Sequence, residues 1–248
     1  IAKAFYIART GRPGPVLIDI TKNAQFDLMD FSYKKCTGIR SYTPKPTLNL
    51  EKVAAAADLI NNAKKPYIVF GQGIILGEAE AELKALVEKS GIPAAWTILG
   101  LSALPTDHPL NVGMLGMHGN YGPNLLTNEC DVLIALGMRF DDRVTGNLAT
   151  YAKQAKVIHF EIDPAEVDKN VKTTIAVLAD VKESLQALIP LIEDKTHDAW
   201  HNKFKEKYKI EFNAVINEEL NPLNGISMGE TMEMINKHSK GDAIIVSD

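Results

Sequence analysis

KKPYIVFGQGIILGEAEAELKALVEKSG, residues 64–91, decides how the rest of the chain is read. Pro66 closes a turn, and Tyr67-Ile68-Val69-Phe70 is an unbroken apolar run of strand length that ends in Gly71-Gln72-Gly73. A helix is expected over 78–89, with Glu at its start and Lys at its end as the helix macrodipole favours, and Gly91 stops it. A strand without polar alternation is buried on both faces, and such strands belong to parallel sheets covered by helices.

Working outward, the same unit recurs. Residues 50–63 (LEKVAAAADLINNA) place Val53, Ala56, Ala57 and Ile60 at helical spacing. Ile92 to Thr97 is a second strand, Asp131 to Gly137 a third, Val157 to Ile162 a fourth and Ile175 to Leu178 a fifth. Helices are expected over 124–130 and 181–192, and 98–119 reads as loop. Strands alternating with helices predict an α/β fold, a parallel sheet flanked by helices. Ligands of such sheets bind outside the carboxyl ends of the strands. Here those ends carry Gly71 and Gly73, Thr97, Gly137 and Arg139, Glu161 and Asp163, and Ala179 and Asp180.

Towards the ends the pattern changes. Residues 1–9 read as the end of an amphipathic helix, and Val16 to Ile20 as a short buried strand. From Thr21 to about Leu50 no period holds, and Pro44 and Pro46 flank Lys45, as in a linker. Residues 194–225 are charged and aromatic with helical stretches, and read as a second linker. A helix is expected from Ser227, then a strand over Gly241 to Val246. The chain opens at Ile1 inside a helix and without Met, so both ends read as edges of neighbouring domains.

The 248 residues suffice for a core without staples. Hydrophobic residues make up 46% and charged ones 23%, and the net charge of −4 is spread without a basic stripe, which argues against nucleic acid. No apolar run approaches the roughly 20 residues that span a bilayer. Cys36 and Cys130 form neither a zinc site nor a disulfide framework, as suits a reducing, cytoplasmic setting.

Several stretches could carry chemistry. Gly71-Gln72-Gly73 could admit a phosphate to the backbone, or be only a tight strand–helix turn; Leu76 stands where a dinucleotide fingerprint wants its third glycine. In Gly137-Met138-Arg139-Phe140-Asp141-Asp142-Arg143-Val144-Thr145-Gly146, two arginines can clamp phosphate and two aspartates can accept from ribose or ring N–H groups; a self-satisfied ion-pair cluster is the other reading. The loop 113–119 could lie along an aromatic ring system, or be a Met-filled core loop. His118 by itself reads as a hydrogen-bonding histidine rather than a catalyst. Asp163, before Pro164, reads as a helix N-cap, while Glu161 suits a ribose hydroxyl; Asp180 is cap or ligand. There is no G-x-S-x-G elbow, Walker loop, H-E-x-x-H or C-x-x-C, and no catalytic residue is assigned.

GRPGPVLIDITK (11–22), WTILGLSALPTDHPLNVGMLGMHG (96–119) and GMRFDDRVTGN (137–147) together resemble the large catalytic subunit of acetolactate synthases, thiamine-diphosphate enzymes, and the likeness runs along essentially the whole chain. The resemblance implies residues 1–25 as the end of a pyrimidine-binding domain, 26–47 as linker, 48–195 as a central FAD-binding-type domain, 196–225 as linker and 226–248 as the start of a diphosphate-binding domain. It implies that FAD meets Arg12 from the first domain, and Gly71 and Gly73 beside its phosphates. Thr97 and Leu99 would meet the flavin end, and Leu115, Gly116, Met117 and His118 the isoalloxazine and ribityl chain. Gly137, Arg139, Asp141, Arg143 and Val144 would hold the pyrophosphate and ribityl, and Glu161, Ile162 and Asp180 the adenosine. Gln72 and Ile74 depart from the more glycine-rich turn of the family. Lys22, Met117, Asp142 and Arg143 would border the substrate channel where herbicidal inhibitors sit.

The implied reaction condenses two pyruvates, or pyruvate and 2-oxobutyrate, with loss of carbon dioxide, in branched-chain amino-acid biosynthesis. Thiamine diphosphate and Mg2+ would bind mostly outside this stretch, and FAD would serve structure rather than redox chemistry. The chain alone is expected to be inactive. A homodimer or homotetramer with a regulatory small subunit is implied, and no nucleic acid or membrane. Other readings are pyruvate oxidase, glyoxylate carboligase, a sirtuin-like NAD module, which would want zinc cysteines, and a non-enzymatic nucleotide-binding module.

Overall fold

The computed structural model describes residues 1–246. At its centre is a six-stranded sheet of β1 (Pro66–Phe70), β2 (Ala94–Trp96), β3 (Asn111–Met114), β4 (Val132–Leu136), β5 (Lys156–Glu161) and β6 (Ile175–Leu178). The strand order is β3-β2-β1-β4-β5-β6, and every pairing is parallel. The chain starts in the middle, winds to one edge, returns and winds to the other, so the order reverses between β1 and β4. Both of these strands are buried at all five positions, as their apolar runs require.

Alternate side chains of the strands build two cores. On one face Ile68, Phe70, Ile134, Leu136, Ile158 and Phe160 pack beneath helices α3 (Leu50–Asn61), α5 (Glu80–Ser90) and α8 (Val181–Leu188). Val53, Ala56, Ala57 and Ile60 are the buried residues of α3, the set its spacing predicts. Asn49 caps that helix by accepting from Lys52 N–H, and Gly91, at φ +63°, ends α5 in the left-handed region. On the other face Tyr67, Val69, Leu133, Ala135 and Val157 pack with α6 (Tyr121–Leu126) and α9 (Asp198–Glu211).

Helix α9 lies in the stretch read from sequence as linker. Trp200 and Phe204, at 4% and 3% exposure, sit one turn apart on it and are buried against the sheet. The Trp200 indole donates to Pro66 O at 2.8 Å, at the start of β1. This stretch therefore covers one face of the sheet.

Other expectations need correction. Val16 to Ile20 is not a buried strand: it has no regular secondary structure, and Leu17 is 89% exposed. Gly241 to Val246 is not a strand either. A strand exists by pairing, and neither segment pairs among the described residues. The loop-rich 98–119 contains β3, whose Gly113 at φ +104° interrupts the apolar run that would have announced it. The helix expected over 124–130 starts and ends earlier, as α6, because Asn120 opens it and Pro123 fits its first turn. Between β1 and α5 the chain makes a further short helix, α4 (Gln72–Leu76), and breaks at Glu78, φ +52°. The helix at the start is present as α1 (Ala2–Arg9), and that near the end as α10 (Met228–Ser239). Among the described residues no helix is long and apolar enough to cross a membrane.

Candidate functional site

At the reversal between β1 and β4 the two strand-end loops pack backbone on backbone. Gly71 N–H donates to Leu136 O at 3.0 Å and Gly73 N–H to Gly137 O at 2.8 Å. A Cβ on Gly73 would lie 2.6 Å from Gly137 Cα, and Gly137 itself has φ +54°. The glycines are thus demanded by the crossing of the two loops. Gly71 lies beneath the crossing, and Gly73 and Gly137 reach the surface of the cleft above it.

That cleft has a volume of about 860 Å³, near the top of the roughly 300–1,000 Å³ range of small-ligand pockets. It runs along the carboxyl ends of the strands, where the sequence placed the ligand. Thr97 and Leu99 line it after β2, Arg139, Asp141, Arg143 and Val144 after β4, Glu161 and Ile162 at the end of β5, and Asp180 after β6. Arg12 reaches it from the N-terminal segment and pairs with Glu166 at 3.1 Å and Asp163 at 3.6 Å. Leu115, Gly116, Met117 and His118 do not line the cleft. Leu115 is buried, Met117 and His118 are exposed, and the loop touches the cleft through Arg143, whose carbonyl accepts from Met117 N–H at 2.7 Å. Asp142 opens a short helix, α7 (Asp142–Thr145), and is exposed. Lys22 begins another, α2 (Lys22–Phe26), on the exposed surface away from the cleft.

Sequence reasoning missed Arg9, Thr10, Lys45 and Gln72, which also line the cleft. Lys45 comes from the linker-like stretch and pairs with Asp180 at 3.2 Å. No local pattern marks it; only the return of that segment to the sheet brings it there.

The 137–146 stretch is only partly self-satisfied. Arg139 and Asp141 pair at 3.3 Å, but among the described residues Arg143 has no carboxylate partner; its Nη1 lies 3.8 Å from Met117 Sδ. Asp141 occupies the N-cap position of α7 without capping it, and its Oδ1 is buried with no partner. An unsatisfied buried acceptor is costly, and a ligand hydroxyl or N–H would relieve it. Asp163 and Asp180 do cap: Asp163 accepts from Ala165 N–H, and Asp180 from Lys182 and Glu183 N–H at the start of α8.

Glu161 is 6% exposed, and burial raises its carboxyl above the ordinary value of 4.5, against the backbone N–H groups of Asp163 and Ile162 that favour the ion. Behind it, on β5, His159 is fully buried and its Nε2 donates to Met138 O at 2.9 Å. The 3.7 Å approach of Nε2 to Glu161 is not an ion pair, because burial lowers the imidazole below its ordinary 6.5 and keeps it neutral. A histidine held neutral by the fold contributes stability that is complete above pH about 6.5 and is lost as pH falls below it. His159→Phe removes the titration, at a fixed cost for the unbonded carbonyl of Met138. Urea unfolding between pH 7 and 5 should show the wild type losing up to ~1.4 kcal/mol per pH unit relative to the variant. Parallel pH curves for the two would contradict a buried neutral His159.

Strand order, glycine crossing and a cleft along the strand ends define the class: a doubly wound α/β domain built on an all-parallel sheet. The chain belongs to the thiamine pyrophosphate enzyme family, whose central domain matches residues 53–188. A probable acetolactate synthase large subunit of Methanocaldococcus jannaschii is 41% identical over 213 residues, covering 84% of this chain and 36% of its own length. An acetolactate synthase large subunit of Parasynechococcus marenigrum is 43% identical over 220 residues, 85% of this chain and 36% of its own. Acetolactate synthase 1, chloroplastic, of Oryza sativa is 36% identical over 262 residues, 100% of this chain and 39% of its own. The chain thus spans little more than a third of the length of these relatives.

Proposed function

We propose that this chain is the FAD-holding middle part of an acetolactate synthase large subunit, and that the strand-end cleft is the FAD site. The observation that carries the FAD reading is Asp141, which lies between two arginines of the cleft, pairs with Arg139 through Oδ2 and keeps a buried Oδ1 without a partner. The residues fit the cofactor. Arg139 and Arg143 supply bidentate donors for a diphosphate, Gly73 and Gly137 let it approach the backbone, and Glu161 supplies a strand-end carboxylate for ribose. Arg12 and Lys45 reach the cofactor from the N-terminal side of the cleft; each holds a carboxylate there, as Arg139 holds Asp141. FAD here brings no redox step to the main reaction; it fills the cleft and fixes the loops around it.

The whole protein, on this reading, joins two pyruvates, or pyruvate and 2-oxobutyrate, to an acetohydroxy acid with release of carbon dioxide. Thiamine diphosphate with Mg2+ supplies the electron sink when bound. The names of the relatives support this reading. A cytoplasmic location, an oligomer with a regulatory subunit and a channel bordered by Lys22, Met117, Asp142 and Arg143 belong to the same proposal. The chain alone should make no acetolactate from pyruvate, thiamine diphosphate and Mg2+, and product formation by it would overturn that part.

Titration with FAD, followed by quenching of flavin fluorescence, tests the cofactor. Saturable binding is expected, with Arg139→Ala and Arg143→Ala each weakening it about 10- to 100-fold, the range for charge-assisted hydrogen bonds. Absence of saturable binding, or binding indifferent to both substitutions, contradicts the assignment.

A further inference from the structure

We propose that Asn124, braced by Asn120 and Glu211, is a positioning residue that sets Arg143 in the cleft by clamping the loop beneath it; the purpose of the clamp rests on the cofactor reading above. The Asn124 amide meets Gly116 twice, with Nδ2 donating to Gly116 O at 2.9 Å and Oδ1 accepting from Gly116 N–H at 3.0 Å. It thus pairs with the loop as a neighbouring strand would. Gly116 has φ +124°, and a Cβ there would stand 2.9 Å from Arg143 O, so loop and arginine backbone are in direct contact. The next residue donates its N–H to that same carbonyl at 2.7 Å.

The clamp continues away from the cleft. Asn120 Oδ1 accepts from Met114 N–H at 2.8 Å, and its own N–H donates to Met114 O at 2.8 Å. Its Nδ2 donates to Glu211 Oε1 at 3.2 Å, while Glu211 Oε2 accepts from Tyr121 N–H at 3.1 Å. Glu211 is the last residue of α9, just before a π-helical turn over Phe212–Ile216. A line of hydrogen bonds therefore runs from α9 through Asn120 and the loop to Arg143. The loop buries one large side chain, Leu115, and leaves Met117 and His118 exposed, so most of this hydrogen bonding holds a surface loop still rather than a core together. The arginine at its end is the one in the cleft without a carboxylate partner among the described residues.

The test is a double-mutant cycle in the 248-residue chain, with FAD affinity and amide exchange at Met117 as readouts. Asn124→Ala should weaken FAD by about tenfold in the wild-type background and by less than about twofold beside Arg143→Ala, because the effect passes through the arginine. Asn124→Asp keeps the acceptor but sets an oxygen against Gly116 O, and should behave like the alanine variant. In both variants the Met117 N–H should exchange faster. Equal losses in the two backgrounds, or no loss in the first, overturn the proposal. Should the wild-type chain bind no FAD, the cofactor reading fails, and Met117 exchange decides the clamp: unchanged exchange in Asn124→Ala overturns it.

Discussion

Gly73→Ala should cost the fold about 3 kcal/mol, a large part of the roughly 5–15 kcal/mol that holds a domain together. The added carbon would sit 2.6 Å from Gly137 Cα and 2.8 Å from Gly137 O. These are backbone atoms of the crossing loop, so no rotamer change can make room. The loops would have to part, and the Gly73 N–H to Gly137 O bond, now 2.8 Å, would go with them. Urea unfolding checks this against Gly14→Ala, where a Cβ meets nothing within 4 Å and the change should stay within about 0.5 kcal/mol. A Gly73→Ala variant as stable as Gly14→Ala would mean that the crossing is looser than described.

Trp200→Ala should cost about 3–5 kcal/mol, the usual range for emptying a large aromatic site in a core. The indole packs edge-on against Phe204 at 5.1 Å between ring centroids, and Phe204 in turn lies 5.2 Å from Tyr67 of β1. Losing Trp200 leaves Pro66 O without its donor and uncovers the face of the sheet beneath α9. Removing residues 196–248 should be at least as harmful, although this piece lies beyond the family match, which ends at residue 188. Urea midpoints of the substituted and shortened chains measure both effects. A shortened chain of undiminished stability would show that the sheet does not need α9.

The sheet was legible where burial is two-sided. β1 and β4 are apolar at every position because helices cover both faces, and such runs can be read without tertiary knowledge. The strand ends, and with them Arg139, Asp141 and Glu161, followed from the fold class. What stayed hidden had a narrow or broken signal. In α9 two aromatic residues one turn apart do the packing amid lysines and glutamates, so the stretch resembles a solvated linker. β3 carries a glycine in the left-handed region, which no periodicity announces. Val16–Ile20 has the composition of a strand, but pairing, which composition cannot supply, is what makes one. Lys45 and Arg9 enter the cleft only through long-range return of the chain, and the clamp of Asn120, Asn124 and Glu211 joins residues some 90 positions apart. Asp180, left open between cap and ligand, caps α8 with Oδ1 and pairs with Lys45 through Oδ2.

The proposed site for FAD lies at the carboxyl ends of the strands. Amide hydrogen exchange with and without FAD would locate it. Exchange should slow at residues 71–73, 137–144 and 161–162, at the strand ends around the cleft, and stay unchanged in α9, which does not line it. Protection confined to α6 and α9, or no protection at those three loops at saturating FAD, would contradict it.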